Sequence, residues 1–123
     1  MNWILAIMTA VLVYFIVRRF IKPKYLTDLN EEEFRQGYRK AQLIDVREQN
    51  EFETGHILGA RNIPLSQLRQ RSNEIRPDKP VYLYCQNGTR SLRAAEFLKK
   101  KRSCEELSHL KGGFRKWSGK VKK

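Results

Sequence analysis

Cysteine and histidine are each present only twice in 123 residues. An isolated pair, Cys85 and Cys104, lacks the dense spacing of a secreted disulfide scaffold and fits a reducing compartment. No His, Cys, Asp and Glu residues fall at metal-ligand spacing, so neither a metal nor another cofactor is expected. Internal repeats and low-complexity segments are missing too, and a chain this short holds one small domain plus an appendage. Acidic residues are few, 13 against 25 Lys and Arg, for a net charge of +12. Charge is absent altogether before Arg18, so the whole excess lies on residues 18–123. Such an excess suits anionic lipid, nucleic acid or a small anionic substrate. Two of its runs, Lys99-Lys100-Lys101-Arg102 and the Lys120–Lys123 tail, are read as a solvated helix end and a frayed terminus.

What the first residues do contain is an apolar run, Trp3 to Val17, unbroken by charge, Pro or Gly. Counted from Met1 to Ile21 it approaches the ~20 residues that span a bilayer. Arg18 and Arg19 at its end can snorkel to the headgroups. A cleaved signal peptide fits less well, because no basic region precedes the run and no small-x-small site follows it. A core helix fits less well because the run is apolar on every face. Residues 1–21 are therefore expected to be a transmembrane anchor and 22–24 a short basic linker. Arg18, Arg19, Lys22 and Lys24 all follow the run, so the N-terminus is expected outside and the domain in the cytoplasm. Pro23 should end the helix at about Lys22.

From Tyr25 the pattern alternates short strands and helices. Asn30 with Glu33 reads as a capping box and Gly37 as a stop. Leu43–Val46 and Val81–Tyr84 are short apolar runs that fit buried strands of a parallel sheet, with Tyr82 and Tyr84 as core residues. Weaker strands are expected at Arg61–Ile63 and Glu106–His109. Helices are expected near Ser66–Ile75 and Ser91–Lys101, with a short one at Phe114–Trp117. The fold class is α/β, a small parallel sheet flanked by helices, over residues 25–119, with 120–123 as a basic tail. Ligands of such folds sit beyond the carboxyl ends of the strands.

Cys85 stands at that edge. It closes the run Val81–Tyr84 and opens the loop Cys85-Gln86-Asn87-Gly88-Thr89-Arg90-Ser91 before a helix. Backbone N–H groups at a helix N-terminus stabilise anions, a thiolate included, so the pattern describes a nucleophilic cysteine in an anion-binding cradle. Gly88 lets the loop curl, Arg90 adds a positive charge at its rim, and Ser91 is expected to cap the helix.

These residues resemble the rhodanese family of sulfurtransferases in five stretches over about residues 25–119. They are Leu43-Ile44-Asp45-Val46-Arg47-Glu48, Phe52–Pro64 with its Gly55-His56-Ile57-Leu58-Gly59-Ala60 centre, Cys85–Ser91, Leu110-Lys111-Gly112-Gly113, and Trp117. A lone domain behind an apolar helix is similar to the membrane-anchored single-domain rhodaneses of bacteria. The resemblance implies sulfur transfer through a Cys85 persulfide, from a small anionic donor such as thiosulfate or a persulfide to a thiol acceptor. Gln86, Asn87, Gly88, Thr89, Arg90 and Ser91 would bind the donor. Asp45 and Arg47 would lie beside the loop, as a pair bracing it rather than as direct substrate contacts. Where many thiosulfate-active members carry Arg after the cysteine, this chain has Gln86, which points to a persulfide donor from a partner protein.

Cys85 to Arg90 is Cys-x4-Arg, one residue shorter than the loop with which cysteine phosphatases enclose a tetrahedral phosphate. His56 is expected to stabilise a turn rather than act as a base, and Cys104 to be a surface or edge cysteine. The segment Ser103–His109 is less apolar than the family's usual last strand, so that strand should be short or irregular. Two alternatives to the enzyme stay open: a non-catalytic module binding a partner at the membrane, and a sulfur relay for tRNA thiolation using the basic surface.

Overall fold

The computed structural model of the protein describes residues 2–20 and 25–123. Helix α1 (Asn2–Phe20) is 19 residues of almost wholly apolar sequence, with Arg18 and Arg19 in its last turn. At ~1.5 Å per residue it is about 28 Å long, close to the hydrocarbon thickness of a bilayer. Among the described residues it is the one helix long and apolar enough to cross a membrane. The expected helix end at Lys22 and the linker 22–24 lie outside the described residues.

The second part is an α/β unit. Five parallel strands, β1 (Leu26–Leu29), β2 (Gln42–Asp45), β4 (Arg61–Asn62), β5 (Val81–Tyr84) and β6 (Leu107–Leu110), form a sheet in the order β1-β6-β5-β2-β4. Between them run α2 (Glu31–Gly37), α3 (Gln49–Thr54), α4 (Leu68–Arg71) and α5 (Thr89–Arg102). The α/β parallel sheet flanked by helices is the expected architecture. Strand β5 is central, so its carboxyl end, where Cys85 follows, opens between two neighbours.

Alternation explains why the apolar runs became doubly buried strands. Successive residues point to opposite faces of a sheet. Val81 and Leu83 join Ile44, Val46, Leu68, Ala94, Ala95 and Leu98 in one core. Tyr82 and Tyr84 face the other, with Phe34, Tyr38, Leu43, Leu110 and Trp117. Burying a side chain such as Leu98 or Phe34 is worth about 1.5–3 kcal/mol. Helix α2 begins as expected: Asn30 Oδ1 accepts the Glu33 N–H at 2.8 Å, and Glu33 Oε1 accepts the Asn30 N–H at 3.2 Å.

The structure corrects several expectations. The helix expected over Ser66–Ile75 is broken into a 3-10 turn at Leu65–Gln67, the single turn α4, and another 3-10 turn at Ser72–Glu74. Leu68 is the one buried residue of α4, and the next wholly buried residue, Ile75, lies beyond the second 3-10 turn, so the stretch offers too small an apolar face to hold a longer helix. Cys104 is not at the surface. It is fully buried in the core beside Leu98 and Leu107, and burial pushes its thiol pKa up. The Lys120–Lys123 tail is not frayed throughout. Val121 and Lys122 form β7, which pairs antiparallel with β3 (His56–Ile57), and Lys120 carbonyl accepts the Leu58 N–H at 3.2 Å. The last strand of the main sheet, β6, keeps four residues despite its polar content.

Candidate active site

The loop after β5 is shaped by backbone, not by bulk. Gly88 is left-handed (φ 100°) and forms the N-cap of α5, turning the chain so that amides face back toward Cys85. The Gly88 N–H reaches Cys85 Sγ at 3.0 Å and the Ser91 N–H reaches it at 3.3 Å. The Thr89 N–H goes instead to Asn87 Oδ1 at 3.1 Å, and Asn87 Oδ1 stands 4.0 Å from the sulfur. Two of the loop's amides thus converge on the thiol, which is fully buried. This is an arrangement suited to a thiolate, a persulfide or a leaving anion.

Ser91 is not the helix cap. Because α5 starts at Thr89, Ser91 sits inside its first turn, and its hydroxyl donates toward Gly88 carbonyl at 3.0 Å. The same oxygen lies 3.7 Å from Cys85 Sγ and 2.9 Å from His109 Nδ1. His109 Nε2 in turn contacts Asp28 Oδ1 at 2.5 Å. His109 belongs to β6 and Asp28 to β1, and sequence reasoning singled out neither. The one signal was the polar character of the segment before Leu110.

Arg90 is placed at the rim, but its charge is already answered. Its two terminal nitrogens grip Glu51 Oε1 and Oε2 at 2.6 and 2.9 Å. The Arg90 hydrogen bonds hold the Glu51 carboxyl down to about 2. Glu51 lies on α3, in a stretch without apolar periodicity, and nothing in its spacing marks it.

Asp45 and Arg47 form a buried pair at the end of β2. Arg47 donates to Asp45 through Nε at 3.1 and 3.0 Å and through a terminal nitrogen at 2.8 Å. That terminal nitrogen also donates to Gly55 carbonyl at 2.6 Å, while the other donates to Gln86 Oε1 at 3.2 Å. The guanidinium lies 4.3 Å from the centre of the Phe114 ring. One side chain thereby ties β2, the end of α3 and the active loop together. The Gln86 side chain is turned to Arg47.

The Gly112-Gly113 turn supports the loop from behind. The Phe114 N–H donates to Cys85 carbonyl at 2.7 Å and the Arg115 N–H to Gln86 carbonyl at 3.1 Å. His56 stacks on Phe52 with ring centres 3.6 Å apart, and its Nδ1 lies 2.9 Å from Phe52 carbonyl. That geometry is a turn brace.

Fold and site together define an α/β domain whose central strand delivers a buried cysteine to a nest of backbone amides. Residues 25–120 match the family model of the Rhodanese-like domain, and the chain belongs to that family. It is 64% identical over 119 residues to YqhL of Bacillus subtilis (strain 168), covering 97% of this chain and 94% of that one. It is 33% identical over 75 residues to the thiosulfate sulfurtransferase GlpE of Coxiella burnetii (strain RSA 331 / Henzerling II), covering 61% and 69%. Among solved structures, a rhodanese-related protein from Thermoplasma volcanium aligns with a TM-score of 0.71 at 28% identity, covering 78% of this chain and 97% of the other.

Proposed function

We propose that the protein is a sulfurtransferase tethered to the cytoplasmic face of a membrane, with Cys85 as its nucleophile. The Cys85 thiolate attacks the outer sulfur of a donor. The donor's S–S bond breaks, its electron pair leaves with the inner group (sulfite, if the donor is thiosulfate), and Cys85 becomes a persulfide anion. An acceptor thiolate then attacks the outer sulfur, and the electron pair of that bond returns to Cys85. The observation that carries this reading is the pair of amides, Gly88 and Ser91, held at 3.0 and 3.3 Å from the sulfur. They would favour the anionic sulfur at each stage.

Two features favour a persulfide, on a protein or a small thiol, over thiosulfate as donor. Gln86 is neutral and engaged with Arg47, and the Arg90 charge is matched by Glu51. A cradle whose own arginine is already paired is a poor partner for a dianion.

Intact-mass spectrometry of the full chain in detergent, with Cys85→Ser as control, tests the proposal. After exposure to thiosulfate or glutathione persulfide, the parent should gain one sulfur atom and lose it on adding cyanide. The control should gain nothing. No gain from either donor would refute the transferase reading.

A further inference from the structure

The contacts behind Cys85 line up in a row that the anion cradle does not require. The row runs Cys85 Sγ, Ser91 Oγ, His109 Nδ1, His109 Nε2, Asp28 Oδ1, with separations of 3.7, 2.9 and 2.5 Å across its three links between residues. It crosses four elements: the end of β5, the first turn of α5, β6 and β1. All but Asp28 are buried. The parallel register makes the row possible, since β6 lies between β5 and β1 and sets His109 beside Asp28.

The direction of the hydrogen bonds follows from the chemistry of the end groups. A carboxylate only accepts, so Asp28 takes the Nε2 hydrogen and leaves Nδ1 as an acceptor in the neutral imidazole. The Ser91 hydroxyl has one hydrogen and two acceptors in reach, Gly88 carbonyl at 3.0 Å and Nδ1 at 2.9 Å; rotated from the first to the second it donates to Nδ1, and its oxygen is left to accept from the Cys85 thiol.

We infer that Ser91, His109 and Asp28 form a proton relay that ionises Cys85. The thiol proton passes to Ser91 Oγ as the Ser91 hydroxyl proton passes to His109 Nδ1. The products are a thiolate, a neutral serine, an imidazolium and an unchanged Asp28 carboxylate, so one proton has moved and total charge is conserved. In that state the imidazolium Nδ1–H donates to Ser91, and Asp28 balances its charge. Ser91 touches the reacting sulfur; His109 and Asp28 are positioning residues that act through it. Among the described residues, the charged and titratable groups facing the row include Asp28 from β1, Cys85 from the end of β5, and Arg90 from α5, which interacts with Cys85 and is itself paired with Glu51 of α3. The inference rests on Cys85 being the nucleophile.

Thiolate ultraviolet absorbance of the full chain, titrated against pH with the Cys85→Ser signal subtracted, tests the relay without any sulfur donor. His109→Asn offers an acceptor oxygen in place of Nδ1 but cannot take the proton. It should raise the thiolate midpoint by about one pH unit or more, a tenfold loss of thiolate at a pH below the midpoint. Ser91→Ala, which breaks the row at its first link, should raise it likewise, and Ser91→Thr should restore it. An unchanged midpoint in His109→Asn overturns the relay. A shift in His109→Asn that is absent in Ser91→Ala also overturns it, because the histidine would then act through space. Absence of persulfide with these midpoints as expected would instead count against sulfur transfer and leave the relay standing.

Discussion

Gly113 lies so close to Gln86 that a Cβ on it would stand 2.5 Å from the Gln86 carbonyl carbon and oxygen, and 2.6 Å from Cys85 carbonyl oxygen. Its φ of 72° is also one that side-chain-bearing residues rarely adopt. The atoms in the way are backbone, and they belong to the loop that carries the thiol. Gly113→Ala should therefore displace that loop and cut Cys85 persulfide formation by roughly 100-fold, a geometric penalty of the size that ~1 Å misplacements produce. Rapid-quench mass spectrometry reads the rate, and thermal unfolding should show a loss of about 1–3 kcal/mol from the strained backbone.

Removing the carboxylate of Glu51 should unmask Arg90. Glu51→Gln is expected to lower the KM for thiosulfate by about 1.4- to fivefold, the worth of a partly exposed ion pair of ~0.2–1 kcal/mol. Steady-state kinetics with cyanide as acceptor would show it. The pair also sets a pH dependence. The Glu51 pKa is depressed from 4.5 to about 2, so its contribution is present above 4.5 and is lost as pH falls toward 2. The parent should exceed Glu51→Gln in urea stability by a constant small margin near neutrality, and the margin should shrink in that acid window.

Arg90→Ala alone leaves Glu51 as an unanswered negative charge at the mouth of an anion site. Its KM for an anionic donor should rise more than that of the double variant Arg90→Ala/Glu51→Gln. Additive effects in this double-mutant cycle would show that the two side chains do not communicate.

The Asp45–Arg47 pair is a case where deletion costs more than the pair contributes. Asp45→Ala leaves a buried guanidinium without its carboxylate, which should cost ~3–5 kcal/mol and lower Tm sharply. Calorimetry of the full chain would measure this, and a loss below ~1 kcal/mol would show that water or another group replaces Asp45.

For the anchor, the full chain should remain in the membrane pellet after alkaline carbonate washing. A version lacking residues 1–21 should be released. Protease added to sealed right-side-out vesicles should leave the domain intact if it faces the cytoplasm, as the basic flank of Arg18 and Arg19 predicts.

Much of the sheet was legible because its strands are short apolar runs and its turns carry glycine. Leu43–Val46 and Val81–Tyr84 announce buried strands by composition, and Asn30 with Glu33 marks a helix start by a reciprocal pair of hydrogen bonds. The cysteine loop was legible for the same reason, since nucleophile, glycine and arginine lie within six residues. The groups brought to it from elsewhere were not. Glu51 is 39 residues from Arg90, His109 is 18 from Ser91, and Asp28 is 81 from His109. Each is a polar residue in a polar or mixed segment, and only strand order decides that they meet. The start of α5 was misjudged by two residues because Gly88, with no side chain to cap, does the capping by backbone conformation alone.

If Cys85 carries sulfur as proposed, its full burial gives the empty and loaded forms different reach. A sulfur bonded to Sγ stands about 2 Å further from the protein backbone than the thiol does. The resting cysteine is thus withheld from bulky oxidants and stray disulfides, while in the proposed transfer the added sulfur would be the atom within reach of a recipient. Chemical vulnerability and chemical usefulness would then belong to different states of one side chain, switched by the arrival of a single atom.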